Sequence, residues 1–495
     1  MDFDSIIERH AASAPGRVAL HFSGQDISYA QLWRRIELAT GVLQAAGIQR
    51  GDRVAWLGLG DPALLVLLFA LARLGAIFLP LNYRLARLEH EAILEHAGVR
   101  LLVTDAVHAT AASALVDSAG CELLPASGLG ASADGVPAVM SSGRPEDPVL
   151  LVYTSGTSGR PKGVLHTQSG LGWNCVIAID ANGLTPADHV LSVLPMFHVG
   201  GLCIQTLPAL YAGAQVTLHA RFDAGVWLAD VARRRPTLSL LVPATLRAVL
   251  DHAGFARTDL SSLKLLATGS STIPVSLIAA FHARGVPVGQ VYGATETGPV
   301  SICLRREDAM AHAGSAGRAG LQVEVQLVDE RGQAVRTGEV GELWVRAPNM
   351  LCGYWKDPDN PAFADGWFHT GDLALCDSQG FYEIVGRSKD MIISGGENIY
   401  PAEIENLLAD CPLIVEAAVV GVPDARWGEV AVAVIVRVPG AALDAAAVTQ
   451  LFEGRLARFK HPKRIVFCDA LPKTALGKVQ KAGLLDRVST PAGAA

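Results

Sequence analysis

The chain has 495 residues, too many for one ordinary hydrophobic core, so we expect at least two domains. Half of the residues are hydrophobic and 18% are charged, a composition that excludes an intrinsically disordered chain. Lys plus Arg (41) and Asp plus Glu (48) leave a net charge of −7, and the scattered basic residues give no footprint for a nucleic-acid partner.

The N-terminal half shows no signal for export or for a membrane span. The first ten residues, MDFDSIIERH, are acidic and lack the apolar core of a signal peptide. The longest apolar run, Ala63 to Ala72, has about half the length that a transmembrane helix needs. The eight cysteines occur singly, without metal or redox spacing, as expected in a reducing compartment. We therefore expect a cytoplasmic protein, while peripheral membrane contact and a homodimer stay open.

Up to Tyr292 the chain alternates between strand and helix signals. Ser28-x-x-Gln31 is a capping box before apolar residues at helical spacing, which predicts a helix. A strand is expected at Arg53–Leu57, and a helix begins at Pro62. Further strands are predicted at 99–104, 149–153, 190–194, 214–218, 239–242, 263–268 and 288–292. Strands separated by helices of this length indicate parallel sheets.

The rest of the chain has a different pattern. The segments 323–328 and 342–345 alternate like antiparallel strands, which predicts a small β-barrel-like part. After the polar stretch 386–390, an α+β unit is predicted from helices at 402–408 and 445–457 and strands at 417–422, 430–436 and 465–468. The predicted fold is α/β. Residues 1–387 form a large domain of parallel αβα sheets with the barrel-like part, and residues 388–495 form a smaller α+β domain.

The stretch from residue 152 to residue 164, VYTSGTSGRPKGV, has the composition of a phosphate-binding loop. It departs from the common pattern G-x-x-x-x-G-K-[ST], because Pro161 and Gly163 replace the second glycine and the final hydroxyl residue. Lys162 supplies a mobile charge. Since Gly163 offers no hydroxyl to Mg²⁺, the metal must be held mainly elsewhere. Anionic oxygens can be surrounded by backbone N–H groups and by the hydroxyls of Thr154, Ser155, Ser158 and Thr157, the last assisting the metal at most.

Five motifs follow one another along the chain. They are YTSGTSGRPKG at 153–163, YGATETG at 292–298, WFHTGD at 367–372, GRSKD with SGGENIYPAE at 386–403, and PKTALGK at 472–478. In sequence and order they resemble the signature motifs of the adenylate-forming superfamily. That superfamily includes acyl-CoA synthetases, luciferases and the adenylation domains of peptide synthetases. The motifs span most of the chain, and five in order leave little room for chance.

The resemblance implies a nucleotide site assembled from these motifs. Glu296 is implied as a ligand of Mg²⁺, for which carboxylate oxygens are suited, and Thr295 contacts the α-phosphate. Tyr292 offers a flat ring to adenine, and Asp372 accepts hydrogen bonds from both ribose hydroxyls. Other implied contacts are Gly156 and Gly159 in the phosphate loop, Gly269, Ser270 and Ser271 beside the adenine, and Arg387 near the ribose.

The resemblance also implies that Lys478 bridges the substrate carboxylate and the α-phosphate. A carboxylate has a reference pKa near ~4, so the first step needs charge neutralisation rather than a general base. The lysine ammonium and Mg²⁺ meet that need electrostatically. In the family, the C-terminal domain then rotates about a hinge, matched here by Lys389. The rotation brings Gly395 and Gly396 beside the pantetheine arm of coenzyme A.

The acid is expected to bind near Pro195–Gly201, PMFHVGG, which resembles the aromatic-gate motif of the family. The resemblance implies that His198 lies beside the acyl carbonyl. Charged side chains are absent from the predicted lining, whereas an amino acid or a dicarboxylate would need an opposite charge. We therefore expect an uncharged tail, fatty or aromatic, although Arg305 and Arg306 lie just downstream. The predicted lining, termed the acyl slot below, consists of Gly200, Gly201, Val242, Pro243, Ala244, Gly293 and Val300.

A rival motif is present as well. Gly58–Ala63 fits G-x-G-x-x-A between a strand and a helix, as in dinucleotide-binding folds. Such folds place an acidic residue about twenty positions further on, and the stretch 80–85 contains none. A nicotinamide-dependent oxidoreductase is therefore kept only as an alternative, which predicts an absorbance change with NAD(P).

We expect an AMP-forming acyl-CoA synthetase. A carboxylic acid and ATP would give an acyl-adenylate and pyrophosphate, and the thiol of CoA would then give acyl-CoA and AMP. Ala313–Arg318 and Met391–Asn398 look most like bacterial fatty-acyl-CoA synthetases, which implies fatty acid metabolism. Two alternatives stay open: an adenylating enzyme that loads a separate acyl carrier protein, and a degenerate sensing relative. The second is disfavoured by the presence of Thr157, Lys162, Glu296, Asp372 and Lys478.

Overall fold

The structure is a computed structural model, and it describes residues 3–130, 143–154, 162–270, 273–358, 360–394, 397–424, 426–473 and 479–488. Helices and strands are numbered in chain order. A π-helical turn, Leu202–Thr206, joins α7 to α8. The helices are α1 Ile6–Ser13, α2 Tyr29–Ala45, α3 Pro62–Leu74, α4 Arg87–Ala97, α5 Ala109–Ala119, α6 Gln168–Asn182, α7 Val199–Gly201, α8 Leu207–Ala212, α9 Ala224–Arg234, α10 Pro243–Asp251, α11 Val275–His282, α12 Arg306–Ala309, α13 Pro401–Ala409, α14 Ala445–Gln450 and α15 Lys481–Val488.

The described strands of the first sheet have the order β15-β14-β13-β12-β11-β9-β10-β1-β2. The run from β13 to β1 is parallel throughout, as the alternation of strands and helices predicted. The edge strands β2, β14 and β15 are antiparallel to their neighbours. The strands are β1 Val18–Phe22, β2 Gln25–Ser28, β9 His189–Ser192, β10 Gln215–Leu218, β11 Leu238–Leu241, β12 Leu265–Gly269, β13 Val288–Tyr292, β14 Ile302–Cys303 and β15 Arg318–Ala319.

The second sheet has the order β18-β8-β7-β4-β3-β5-β6 among the described strands. Its strands from β7 to β6 pair in parallel, whereas β8 and β18 are antiparallel. The sequence pattern did not predict β8, because this strand follows β7 without an intervening helix. The strands are β3 Arg53–Leu57, β4 Ile77–Pro80, β5 Leu101–Thr104, β6 Glu122–Pro125, β7 Pro148–Thr154, β8 Lys162–Thr167 and β18 Gly353–Tyr354.

The part predicted as barrel-like is an antiparallel sheet of β16, β17, β20, β19 and β21, with β21 paired to β20. Pairings among the described strands leave this third sheet open at β16, so it is not a closed barrel. Two residues predicted to contact the nucleotide lie on this sheet: Asp372 on its longest strand, β20, and Arg387 on the neighbouring β21. The strands are β16 Glu324–Val328, β17 Gly341–Arg346, β19 Phe363–Ala364, β20 Trp367–Cys376 and β21 Tyr382–Arg387.

The fourth sheet has the order β23-β22-β25-β24, with β26 parallel to β25. All of its strands follow residue 388, where the second domain is predicted to begin, and that boundary stays a prediction. The helix predicted at 445–457 is shorter, because it ends at Gln450, before Gly454 adopts a φ of +72° that does not continue an α-helix. The strands are β22 Ile392–Ser394, β23 Glu397–Ile399, β24 Ile414–Asp424, β25 Gly428–Arg437 and β26 Arg464–Cys468.

The largest apolar core joins the first two sheets around helix α3. Its N-cap Asp61 accepts a hydrogen bond from Ala63 N, Pro62 fills the first turn, and Gly75 ends the helix at φ +67°. Side chains of α3 are buried on every face, together with Leu20 of β1 and Trp56 of β3. Each fully buried leucine stabilises the fold by roughly 1.5–3 kcal/mol. Among the described residues, no helix is both long and apolar enough to cross a membrane.

Candidate active site

The residues predicted to contact the nucleotide come from three sheets. Thr154 ends β7 and Lys162 begins β8 in the second sheet, and Tyr292 ends β13 in the first. Asp372 and Arg387 lie on β20 and β21 of the third sheet. In open α/β sheets, ligands bind beyond the carboxyl ends of the strands, which is where β7 and β13 deliver these side chains.

The two ends of the predicted phosphate loop lie side by side. Thr154 and Lys162 are direct partners in the antiparallel β7–β8 pair, followed by Tyr153 and Gly163. A Cβ on Gly163 would lie 2.9 Å from Leu151 Cδ1, so a side chain here would require its neighbours to shift. The intervening Ser155, Gly156, Thr157, Ser158 and Gly159 lie outside the described residues, and their phosphate contacts stay predictions.

A tyrosine that the sequence analysis did not identify connects Lys162 with Glu296. Lys162 Nζ lies 5.3 Å from the centroid of the Tyr354 ring. The hydroxyl of Tyr354 donates a hydrogen bond to Glu296 Oε1 at 3.1 Å. Burial, followed by the Glu296 carboxylate, raises the pKa of Tyr354, so the phenol remains a donor at neutral pH. Tyr354 reaches this position because β18 pairs with β8, opposite Val164.

The loop that carries Thr295 and Glu296 is fixed by buried polar contacts. His166 Nε2 donates to Thr295 O at 2.8 Å, and Leu351 N donates to Glu296 O at 2.8 Å. Burial lowers the pKa of His166 to about 4, so its imidazole is neutral at pH 7. Asn349 Nδ2 donates to the carbonyl of Gly298, at the end of the same loop, at 3.0 Å. The loop is thereby tied to β8 and to the segment that precedes β18.

The donor set around Glu296 suits a magnesium ion that arrives with its substrate. A carboxylate has about four acceptor positions, and the Tyr354 hydroxyl occupies one of them. Mg²⁺ in phosphate-transferring sites is commonly held by one or two carboxylates plus substrate phosphates. Within the described ranges, no group of three or more His, Cys, Asp or Glu side chains could hold a metal. The Glu296 carboxylate therefore fits a magnesium ion that is also bound by the phosphates of ATP.

Two of the residues predicted to lie beside the adenine and ribose, Tyr292 and Arg387, both contact the third, Asp372. The Tyr292 hydroxyl donates to Asp372 Oδ2 at 2.7 Å, and Arg387 Nε lies 2.8 Å from Asp372 Oδ1. Asp372 and Arg387 are also direct partners in the β20–β21 pair. Burial, and then the adjacent carboxylate, raises the pKa of Tyr292, which keeps the phenol a donor. Each carboxylate oxygen therefore has one partner and retains acceptor capacity for a ribose hydroxyl.

The predicted adenine-side loop begins where β12 ends. Gly269 pairs with Val291 of β13, and a Cβ on Gly269 would lie 2.4 Å from Val291 O. This close backbone approach requires glycine. Ser270 follows in the left-handed region at φ +76°, so the chain turns sharply beside the end of β13. Ser271 lies outside the described residues.

His198 lies at the start of α7, within an aromatic group. Its ring centroid is 4.9 Å from that of Phe197, which in turn contacts Tyr83 edge to face. Burial, followed by the charge of Arg84, lowers the pKa of His198 to about 4. His198 Nε2 is buried and has no hydrogen-bond partner among the described residues. The imidazole is therefore neutral at pH 7 and retains a polar atom for a ligand.

The glycines of the predicted acyl slot differ in how much space surrounds them. Gly200 has nothing within 4 Å of an added Cβ, so it borders open space. In contrast, a Cβ on Gly201 would lie 2.3 Å from Pro195 O, and one on Gly293 would lie 2.2 Å from Pro299 O. Arg305, which could have placed a charge in the acyl slot, forms an ion pair with Asp180. The other predicted lining residues, Val242, Pro243, Ala244 and Val300, are apolar or small.

The remaining predicted positions belong to the C-terminal part. Lys389 is exposed in the short turn Ser388–Asp390, directly after β21. Lys478, Gly395 and Gly396 lie outside the described residues. The assignments of the bridging lysine, the hinge and the pantetheine contacts therefore stay predictions.

The rival dinucleotide motif is filled by protein groups. Leu59 N donates to Asp105 Oδ2 at 2.8 Å, and Gly60 N donates to Ala220 O at 3.1 Å. A Cβ on Gly58 would meet the same Asp105 carboxylate at 2.9 Å. The N–H groups that a pyrophosphate would need are already engaged, which argues against the nicotinamide alternative.

Comparison with known proteins matches residues 7–355 to the family model "AMP-binding enzyme" and residues 403–478 to "AMP-binding enzyme C-terminal domain". The chain is 46% identical over 495 residues to the indoleacetate–CoA ligase of Aromatoleum aromaticum, covering 97% of each chain. It is 41% identical over 475 residues to a feruloyl-CoA synthase of an Amycolatopsis species, covering 96% of each.

Among solved structures, ATP-bound MatB from Rhodopseudomonas palustris superposes with a TM-score of 0.90 at 32% identity. The match covers 98% of this chain and 99% of that one. The expected α/β fold, with a large domain of parallel sheets and a smaller C-terminal domain, is confirmed by this likeness. The chain therefore belongs to the AMP-binding enzyme family and is an AMP-forming CoA ligase, an acid–thiol ligase of the adenylate-forming type.

Proposed function

We propose that the acid which this CoA ligase activates is an aryl carboxylic acid with an uncharged body. The proposal is supported by the apolar residues predicted to line the acyl slot, by the neutral imidazole of His198, and by the ion pair that Arg305 forms with Asp180. Two relatives of matching length are named for indoleacetate and ferulate, both aryl acids. These names favour an aromatic acid over a fatty acid as the substrate.

In the first half-reaction, a carboxylate oxygen of the acid attacks the α-phosphorus of ATP, and pyrophosphate leaves. Asp372 accepts hydrogen bonds from the ribose hydroxyls, while Arg387 and Tyr292 hold that carboxylate in place. Lys162 and the loop before it neutralise the outgoing pyrophosphate. Because both reactants are anions, fixed charges at these positions lower the barrier more than a general base would.

Glu296 would hold Mg²⁺, which supplies further neutralisation of phosphate charge when it is bound. The protein contribution is orientation: Tyr354 holds one carboxylate oxygen, and His166 holds the adjacent Thr295 carbonyl. Lys478 is assigned to bridge the acid carboxylate and the α-phosphate in this step. His198 contributes a neutral imidazole beside the acyl carbonyl.

In the second half-reaction, the CoA thiolate attacks the acyl carbonyl and AMP leaves. This step needs the space that Lys478 occupied, so the C-terminal part moves about Lys389 and brings Gly395 and Gly396 to the pantetheine arm. Lys389 directly follows the β20–β21 pair that holds the ribose ligands. The nucleotide contacts can therefore persist while the acceptor thiol enters.

A pyrophosphate-release screen tests the proposal. Aryl, fatty and dicarboxylic acids are each supplied with ATP, with and without CoA, and products are identified by mass. We expect aryl acids to give the highest kcat/KM and to form aryl-CoA and AMP. A higher kcat/KM for fatty acids than for aryl acids would refute aryl acids as the substrate class. Acyl transfer to a holo carrier protein but not to CoA would refute the acceptor.

A further inference from the structure

Gln205 is a buried amide whose oxygen has no partner within the described part of the chain. It lies in the π-helical turn Leu202–Thr206 and is 2% exposed. Its Nε2 donates to Asn182 Oδ1 at 3.0 Å, whereas Oε1 is buried without a hydrogen bond. Buried polar atoms are nearly always paired, and π-helical turns are frequent at functional sites. The free oxygen is therefore a candidate ligand contact.

The orientation of this amide follows from its neighbours. Asn182 Nδ2 donates to Ala178 O at 2.8 Å and to Ile204 O at 3.3 Å. Carbonyl oxygens only accept hydrogen bonds, so the nitrogen of Asn182 must face them and its oxygen must face Gln205. Gln205 then has to present its nitrogen to Asn182. The free atom is thus an acceptor, and not a donor with the amide reversed.

Gln205 is one of the residues that line a small cavity. The Ser192 and Thr206 hydroxyls are 2.7 Å apart, and Thr206 donates its proton to Gly201 O at 2.7 Å. Ser192 must therefore donate to Thr206, which leaves only acceptor capacity on both hydroxyls. Like Gln205 Oε1, these two hydroxyls can accept hydrogen bonds from a guest, and neither hydroxyl has a free proton to donate. The cavity is lined by Gln205, Ser192, Thr206, Val193, Leu194, Gly201 and Leu240.

The cavity shares one lining residue with the acyl slot and lies close to two of its segments in sequence. Gly201 belongs to both, Leu194 precedes the Pro195–Gly201 motif, and Leu240 lies two residues before Val242. His198, assigned to the acyl carbonyl, is on the same short segment as Gly201. A substrate that reached from the nucleotide through the acyl slot and past Gly201 would bring its far end to Gln205.

We infer that Gln205 is a specificity-determining residue, which accepts a hydrogen bond from an N–H or O–H group on the ring of the aryl acid. This inference rests on the proposed aryl-acid function and narrows it to acids that carry such a donor. An analogue without the donor would leave Gln205 Oε1 unpaired. Sites that bind a substrate donor in this manner strongly reject isosteres that lack it.

The test compares indole-3-acetic acid with 1-benzofuran-3-acetic acid, which has the same shape but an oxygen in place of the ring N–H. We expect the wild type to favour the indole by about tenfold or more in kcat/KM. In Gln205→Met, which keeps the length of the side chain but has no acceptor, the preference should fall to about threefold or less. The loss should occur mainly with the indole acid.

Gln168→Met is the matched control, because Gln168 is also buried and donates to a backbone carbonyl, Ala72 O, but does not line the cavity. It should leave the indole-to-benzofuran ratio unchanged. If Gln205→Met does not fold, 4-hydroxyphenylacetate and phenylacetate give a second donor comparison in the wild type. Equal efficiencies within each pair, or a ratio that Gln205→Met leaves intact, would overturn the inference. Failure to activate any aryl acid with CoA would instead overturn the proposed function.

Discussion

The hydroxyl of Tyr354 donates a 3.1 Å hydrogen bond to Glu296 Oε1, and this contact joins the second sheet to the loop that follows β13 of the first. The same tyrosine presents its ring to Lys162 Nζ. One side chain therefore contacts both the lysine proposed to bind phosphate and the carboxylate proposed to bind the metal. Its two contacts can be separated by substitution.

Tyr354→Phe keeps the ring beside Lys162 and removes only the hydroxyl. Because a hydrogen bond to a charged group contributes about 1.5 kcal/mol or more, we expect roughly tenfold weaker binding of Mn·ATP. Titration by Mn²⁺ electron paramagnetic resonance measures this without turnover. Tyr29→Phe is the control, since its hydroxyl is bonded to Ala214 O in the core away from the site. Unchanged or tighter Mn·ATP binding would exclude the orienting role.

Glu296→Gln should weaken the use of Mg·ATP. The substitution preserves an acceptor for Tyr354 but removes the charge that binds the metal, and loss of one preorganised charge typically lowers the rate ~10²–10³-fold. Rate is measured against Mg²⁺ concentration at fixed ATP. Glu324→Gln, at an exposed carboxylate paired with Arg346, serves as the comparison. A Mg²⁺ dependence like that of the wild type would refute the assignment.

Lys478→Ala should abolish adenylate formation from acid and ATP, yet spare thioester formation from supplied acyl-AMP. The reason is that the lysine is assigned to neutralise charge only in the first half-reaction. The two half-reactions are assayed separately. Lys473→Ala is the control on the same segment, because Lys473 pairs with Glu416 at 2.6 Å. Equal loss of both half-reactions would contradict the role given to Lys478.

Gly200→Trp should restrict the enzyme to smaller acids. An added Cβ at Gly200 meets nothing within 4 Å, so the indole ring would enter the acyl slot without forcing the backbone. The substrate profile is measured with acids of increasing size. Gly16→Trp, at another open but surface position, should leave the profile unchanged. An unaltered profile in Gly200→Trp would remove this residue from the acyl slot.

His166 should make the fold sensitive to acid. Its pKa is lowered from 6.5 to about 4 in the folded chain, so between these values the unfolded chain binds a proton that the folded chain does not. The contribution of neutral His166 to the free energy of unfolding is complete above pH 6.5 and is lost as the pH falls toward 4. We expect a loss of about 2 kcal/mol between pH 7 and pH 5 from this group.

Urea unfolding at the two pH values measures that loss. His166→Gln keeps a donor for Thr295 O and removes the titrating group, so its free energy of unfolding should change less with pH. Equal pH dependence in the variant and the wild type would assign the acid sensitivity to other residues.

Much of the nucleotide site could be predicted because its residues occur in short contiguous motifs. Tyr292, Asp372 and Arg387 were each identified from local sequence, and the structure brings all three together. The pairwise hydrogen bonds were not predicted, because they depend on the register of β20 with β21. The parallel core was predictable for a similar reason, since alternating strand and helix signals are local.

Tyr354 and Gln205 could not be predicted from the sequence. Tyr354 lies on a two-residue strand whose partner, β8, is far away in the chain and was itself not predicted. Gln205 lies in a mostly apolar segment, and its local sequence does not indicate the π-helical turn or the orientation of Asn182. Both assignments depend on long-range geometry, which residue patterns do not contain.

Because the residues of the candidate site come from three sheets, its geometry depends on how these sheets are aligned with one another. A slip of one residue between sheets displaces side chains by about 3.3 Å, whereas productive geometry tolerates about 0.5 Å. The apolar core holds the first two sheets together, and His166 to Thr295 and Tyr354 to Glu296 are polar contacts that fix their alignment at the candidate site. The alignment of the sheets thus determines the geometry of the candidate site, and the residues that maintain it do not need to touch a substrate.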